Sequence, residues 1–339
     1  MAAATLRLTP SGANRLSHSE NMASVSIFGR KPLKKIVITG ANGFIGTTLI
    51  AALDKRDWQI HAIVRQHLES WPSDIKQHVF ADLSTADPAE LCKTMKGADC
   101  VVHLAAVVPG KQAGTTANVT VELAKSVAIA AVDANVARVI VLSSVYATLA
   151  DKRSNQARAY GHEKLAADQM FEHHLSTVPT IFIRPPVVYG VGMSGSLLSL
   201  AKLIARRVFL PLGLAKERRS YLSKSNLVGL ICTLADADDR RWAIANGRKY
   251  VPTDGIAVST ADLVRAIADG LGVKPRLLPI PLPVLRFLGR ISGKDELVSG
   301  AIDALAFDDN NLLLVDFGWD SYERFPASHR HWPRQALGL

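Results

Sequence analysis

The stretch Lys34-Lys35-Ile36-Val37-Ile38-Thr39-Gly40-Ala41-Asn42-Gly43-Phe44-Ile45-Gly46 decides the architecture of this chain. Lys34–Thr39 has an apolar, β-branched centre with no helical period, which reads as a strand buried on both faces. The glycines follow at once, and a helical pattern then runs from about Gly43 to Lys55. Each glycine has its own physical reason. Gly40 permits a tight turn, Gly43 lets backbone N–H groups approach a pyrophosphate, and Gly46 lets the helix pack closely on the strand. The helix N-terminus adds partial positive charge. A tight structural turn could use the same glycines, but strand, turn and helix in this order favour a dinucleotide cradle that includes Phe44 and Ile45.

The same alternation continues outward. Trp58–Arg65, Gln77–Ala81, Asp99–Leu104, Arg138–Ser143 and Pro179–Arg184 read as further strands. Between them stand helical patterns at Pro88–Lys96, Thr120–Asn135 and Tyr160–Leu175. Apolar strands separated by helices imply a doubly wound, Rossmann-type α/β fold with a parallel sheet covered on both faces. Past Gly190 the alternation weakens into helical segments at Gly195–Arg206, Ser225–Ala237 and Thr260–Leu271, joined by proline-rich pieces. The expected organisation is a dinucleotide-binding and catalytic domain at 34–190 and a smaller, mainly helical substrate domain at 191–339. Residues 1–33, rich in alanine and serine, read as a disordered extension or an early start, with Met22 a possible true start.

Composition narrows the function. The 339 residues are 48% hydrophobic, enough to bury a large core, and carry a net charge of +10. That excess favours anionic partners: a phosphorylated ligand, nucleic acid or an acidic membrane surface. The cations are scattered and stand beside no set of stacking aromatics, so nucleic acid is disfavoured. Cys92, Cys100 and Cys232 are too few and too far apart for a disulfide framework or a zinc knuckle, which fits a reducing cytoplasm. The apolar stretch Val119–Ser143 contains Glu122, Lys125, Asp133 and Arg138 and cannot span a bilayer. His162, His173 and His174 lack the spacing of metal ligands, and no metal is expected.

At the end of the second strand stands Arg65, where a carboxylate would accept hydrogen bonds from an adenosine ribose. A guanidinium there can pair with a 2′-phosphate, which favours NADP, with NAD as the alternative.

The spacing Gly40-x-x-Gly43-x-x-Gly46 resembles the extended short-chain dehydrogenase/reductase family, which includes nucleotide-sugar epimerases, dehydratases and ketoreductases. Other stretches agree in order: Asp82-Leu83, His103-Leu104-Ala105-Ala106, Asn118-Val119, Leu142-Ser143-Ser144, Tyr160-Gly161-His162-Glu163-Lys164 and Arg184-Pro185-Pro186-Val187-Val188-Tyr189-Gly190. The resemblance implies that Asp82 and Leu83 meet the adenine, and that Leu104, Ala105, Ala106 and Asn118 line the cofactor. It further implies that Arg219, in Glu217-Arg218-Arg219-Ser220-Tyr221-Leu222, holds a nucleotide diphosphate. Relatives often dimerise through two helices, for which Val119–Ala131 and Leu165–Phe171 are the candidates; burial within one chain explains the same residues. Three features depart from the family pattern: a short segment between Ser144 and Tyr160, Glu163 before the lysine, and Thr120-Val121-Glu122 after Asn118-Val119.

Tyr160 and Lys164 are four apart and share one helix face. An ammonium beside a phenol favours phenolate, so the tyrosine is expected to ionise below the free value of about 10 and to serve as proton donor or acceptor. Lys164 can also hold the nicotinamide ribose, and Ser144 can hydrogen-bond a substrate carbonyl. Val145-Tyr146-Ala147 after Ser144 offers no extra carboxylate, which disfavours a 4,6-dehydratase. The segments Leu210–Leu227, Tyr250–Leu271 and Pro279–Arg290 resemble a subgroup of that family acting in bacterial surface-polysaccharide synthesis, and this resemblance implies NAD(P)-dependent reduction at C4 of a UDP-4-keto-6-deoxy-N-acetylhexosamine. A UDP-sugar 4-epimerase is the alternative, and a non-catalytic dinucleotide-binding scaffold a further one.

Overall fold

The computed structural model describes residues 33–106, 116–307 and 310–339, except for the side chains at 116–118 and 296. Of the expected extension at 1–33, all but Leu33 lies outside the described residues, Met22 included. The first half runs β1 (Lys34–Thr39), α1 (Gly46–Leu53), β2 (Trp58–Val64), β3 (Lys76–Val79), α2 (Pro88–Met95) and β4 (Cys100–His103). It continues through α3 (Thr116–Asp133), β5 (Val139–Leu142), α4 (Val145–Asp151), α5 (Ala159–His174) and β6 (Thr180–Ile183). Then come β7 (Val187–Tyr189), α6 (Ser196–Ala205), β8 (Arg218–Arg219), β9 (Tyr221–Ser223), α7 (Lys224–Asp236) and α8 (Asp239–Ala245). The chain closes with β10 (Lys249–Tyr250), β11 (Val258–Ser259), α9 (Thr260–Leu271), α10 (Leu282–Ile291), α11 (Asp295–Ile302), α12 (Asn310–Phe317) and α13 (Ala327–Leu337).

Seven strands form one sheet in the order β10-β6-β5-β4-β1-β2-β3, with every pairing parallel. This is the doubly wound fold expected from the sequence. The chain turns back between β1 and β4, and ligands of such sheets bind at the carboxyl ends of the strands beside that reversal. Register sets Thr39 opposite both His103 and Ile63, so the turn after β1 emerges next to Leu104.

Burial fixes these strands. Ile36, Val37, Ile38, Val101, Val102, Val139 and Ile140 are wholly buried. Burying such a side chain contributes about 1.5–3 kcal/mol, more than the ~1 kcal/mol span of strand propensities. One face of the sheet packs with residues of α1, α7, α8 and α12, among them Leu49, Ile231, Trp242 and Leu313. The other face carries Leu91 of α2, Val127 of α3 and Phe171 of α5. Most of the cover on the first of these faces therefore comes from beyond Gly190.

Three local expectations differ from the fold. The first helix starts at Gly46 rather than Gly43, because Gly40 to Gly43 close a turn, with Gly43 N–H donating to the Gly40 carbonyl at 3.0 Å. The short segment after Ser144 is helical over Val145–Asp151, since its Val145, Ala147, Leu149 and Ala150 have a core to enter. The seventh strand, β10, is two residues long and is held by register with Phe182 and Ile183. No helix among the described residues is long and apolar enough to cross a membrane.

Candidate active site

The turn after β1 is built by backbone contact. Gly40 has φ +68°, and a Cβ there would lie 2.8 Å from the Ala105 nitrogen. At Gly46 a Cβ would lie 2.4 Å from the Ala41 carbonyl oxygen, which no side chain tolerates. Gly43 differs: within 4 Å a Cβ would meet the Gly40 oxygen alone, at 3.1 Å, so its outer side is open. Thr39 ties the turn to β4, its hydroxyl 2.9 Å from Nδ1 of His103 and accepting from the Ala105 N–H at 3.3 Å. Burial, aided by Lys164, pushes the His103 pKa down to about 3, so the ring stays neutral. Leu104 and Ala105 are half-buried against this turn and Ala106 is exposed. Ile45 is buried and Phe44 half-buried over the same corner.

Around the turn the other expected contacts differ in character. Arg65 is exposed just past the end of β2. Leu83 is buried, whereas Asp82 is exposed and its Oδ1 accepts from the Ser84 N–H and hydroxyl at 2.8 and 2.7 Å, capping a local turn. Asn118 falls in α3, with its side chain outside the described residues.

The three expected catalytic side chains converge beside this turn. Ser144 caps α4, accepting from the Tyr146 N–H at 3.3 Å, and its hydroxyl stands close enough to the Tyr160 phenol to favour the phenolate. Lys164 is 4% exposed, and its ammonium donates to the Leu142 carbonyl at 3.4 Å, a long bond for a buried cation. Beneath them Asp168 Oδ2 accepts from the Ser143 hydroxyl and from Nε of Arg184, each at 2.9 Å. Burial raises the Asp168 pKa, opposed by Arg184; burial lowers that of Lys164, opposed by Asp168. Glu163, a departure from the family pattern, accepts a hydrogen bond from Thr120 and so ties α5 to α3.

The phenol itself corrects an expectation. Burial pushes the Tyr160 pKa up to about 12, only partly opposed by the Ser144 hydroxyl. The neighbouring groups that contribute through charge are Glu163, Asp168 and Tyr146, all raising it, and Lys164 is not among the causes. Four-residue spacing put the lysine on the right face, but its ammonium reaches back to β5.

Sequence reasoning missed the glycine between them. A Cβ on Gly161 would lie 2.5 Å from the Tyr146 carbonyl oxygen, so α5 can rest on α4 only with glycine there. A glycine inside a helical pattern was the available signal. It also missed the Asp168–Arg184 pair, which no local spacing announces.

A cavity of about 280 Å³ lies between α4, the start of α5 and α11, lined by Tyr146, Arg158, Arg219, Ser299 and Asp303 among others. Arg219 is buried on β8 and donates to the Asp303 carbonyl; Arg218, beside it, is exposed. The Arg158 guanidinium stands 5.3 Å over the Tyr146 ring, and Tyr146 meets Tyr160 edge-on at 6.2 Å. Tyr146 thus links the polar corner to the cationic cavity. His162 and His173 are exposed on α5.

These residues fit a nicotinamide dinucleotide. The open side of Gly43 leaves backbone space for a diphosphate, and Lys164 offers buried, under-used donors for a ribose.

Comparison with known proteins agrees with this architecture. Residues 36–245 match the family model described as the NAD dependent epimerase/dehydratase family. The chain is 31% identical to a UDP-glucose 4-epimerase of Vibrio cholerae, over 86% of this chain and 92% of that protein. It is 28% identical to a ceramide reductase of Caulobacter vibrioides, over 76% of each. Its fold is similar to that of the Bordetella bronchiseptica enzyme WbmG in complex with NAD and UDP, with a TM-score of 0.67 and 18% identity, covering 89% of this chain and 92% of that one.

Proposed function

The chain belongs to the NAD dependent epimerase/dehydratase family, and from that premise we propose that it reduces a UDP-linked 4-keto-6-deoxy-N-acetylhexosamine at C4, in surface-polysaccharide synthesis. The observation that carries this reading is the convergence of Ser144 and Tyr160 over buried Lys164, with a guanidinium-lined cavity on the far side of Tyr146. The dinucleotide, when bound, supplies the hydride.

The chain's residues do the rest. Ser144 donates to the keto oxygen and orients it. Tyr160, with its pKa near 12, is protonated throughout the neutral range and delivers a proton to that oxygen as negative charge develops on it. Lys164 holds the nicotinamide ribose. Asp168 and Arg184, paired beneath, keep Ser143 and the end of β5 in place. Arg219, with Arg158 near it, neutralises the nucleotide diphosphate in the cavity. Arg65 accommodates a 2′-phosphate, so NADPH is the proposed reductant.

A second reading, a UDP-sugar 4-epimerase, is favoured by the 31% identity to the Vibrio enzyme. The same residues would then serve both faces of the sugar without net consumption of cofactor. Incubation with a UDP-4-keto sugar and NADPH separates the two. Stoichiometric loss of reduced-cofactor absorbance supports reduction, and interconversion of UDP-sugars without loss supports epimerisation. Neither outcome, with dinucleotide still bound, favours a scaffold.

A further inference from the structure

Helix α10 carries apolar residues on two faces, and only one of them has a core to enter. Leu285 and Gly289 are buried, packing with Ile302, Ala215 and Val298. Val284, Phe287, Leu288 and Ile291 follow the i, i+3, i+4, i+7 pattern of a second stripe, and they are 46–68% exposed. Leu297, at the start of α11, is exposed as well. Single exposed apolar residues need no explanation, but two turns of contiguous stripe mark an interaction surface.

The charge around the stripe identifies the partner. From Asp269 to Leu297 the chain carries Lys274, Arg276, Arg286, Arg290 and Lys294 against Asp269, Asp295 and Glu296, so the segment is net cationic, with exposed Asp295 next to Lys294. Arg286 is engaged with Asp303 at 2.7 Å, while Arg290 and Lys294 are exposed beside the stripe. A short helix with an exposed apolar face flanked by cations lies in the plane of an anionic bilayer surface. A second copy of the chain is the competing occupant, and the test below separates the two.

We infer that the exposed stripe of α10, with Arg290 and Lys294, docks the chain on the surface of an anionic membrane without crossing it. The helix that follows, α11, supplies Ser299 to the cavity, so the docked face lies one helix from the candidate substrate site.

The test is co-sedimentation of the full chain with phosphatidylcholine vesicles, with and without phosphatidylglycerol. Binding is expected only with the anionic lipid, and it weakens as salt rises. The double variant Phe287→Ser/Ile291→Ser and the double variant Arg290→Glu/Lys294→Glu should each lower the partition coefficient about tenfold or more. These positions are exposed, so circular dichroism and thermal midpoint should stay those of the parent chain. Failure of the parent chain to bind anionic vesicles overturns the inference, as does undiminished binding by both variants. A parent dimer that ignores vesicles and becomes monomeric in Phe287→Ser/Ile291→Ser also overturns it, because a second copy is then the occupant.

Discussion

The turn after β1 and the arginine-lined cavity are built from opposite materials. The turn uses consecutive residues, Gly40 to Gly46, and its shape is set by backbone atoms that leave no room for a Cβ at Gly40 or Gly46. The cavity draws on side chains from α4, the segment leading into α5, β8 and α11, separated in sequence by up to about half the chain. A backbone site is intolerant and nearly the same for any dinucleotide. A side-chain site can be retuned residue by residue while the sheet beneath it stays.

The sharpest way to break this contrast is at Gly46. Gly46→Val sets branched atoms against the Ala41 carbonyl and should cost about 4 kcal/mol or more, leaving little cooperatively folded protein in thermal denaturation. Gly97 also has positive φ, +72°, but a Cβ there meets nothing within 4 Å. Gly97→Ala should therefore cost only about 1–2 kcal/mol of backbone strain. Equal losses at both would mean that close contact does not govern the turn.

Next in size is the acid. Tyr160→Phe should lower turnover by about 10²–10⁴-fold while dinucleotide affinity, followed by fluorescence titration, stays near the parent value. Lys164→Met should weaken both. The raised phenol pKa sets the sign of the pH dependence. In the reductive direction the proton is already in place, so the rate should be flat through neutrality and fall only in alkali. In the oxidative direction the phenolate is required, so the rate should climb with pH. Full activity in Tyr160→Phe would remove the proposed acid.

The cavity should respond more gently. Arg219→Met, losing charge-assisted bonds, should raise KM for the UDP-sugar by about 10–100-fold with a smaller change in kcat. Arg218→Met, at an exposed position, should change little. If Arg219→Met instead unfolds the chain as Gly46→Val does, the two regions are not different in kind. The smallest effect is expected at Arg65: Arg65→Ala should reduce the preference for NADPH over NADH by less than about tenfold, because an exposed guanidinium is solvated with or without a phosphate. An unchanged ratio would leave Arg65 as a surface residue beside the adenine.

The sheet, the glycine turn and the Tyr160–Lys164 helix were legible in the sequence because each is specified within a few neighbouring residues. Apolar runs, glycines that only backbone contact explains, and i, i+4 spacing are local patterns, and local physics reads them. What tertiary structure alone decided is of another kind. Lys249-Tyr250 becomes a strand only because β6 offers it an edge, and Val145–Asp151 becomes a helix because a core awaits its apolar face. Gly161 matters because α4 passes under it, and Arg219 shares a cavity with Arg158 and Tyr146 through folding that no spacing encodes. The phenol of Tyr160 is the clearest instance. Its neighbour at i+4 promised a lowered pKa, yet ionisation depends on how much water the whole fold removes and where each charged tip points. Desolvation is a sum over distant parts of the chain, and the one contact that sequence could name is turned elsewhere by the fold.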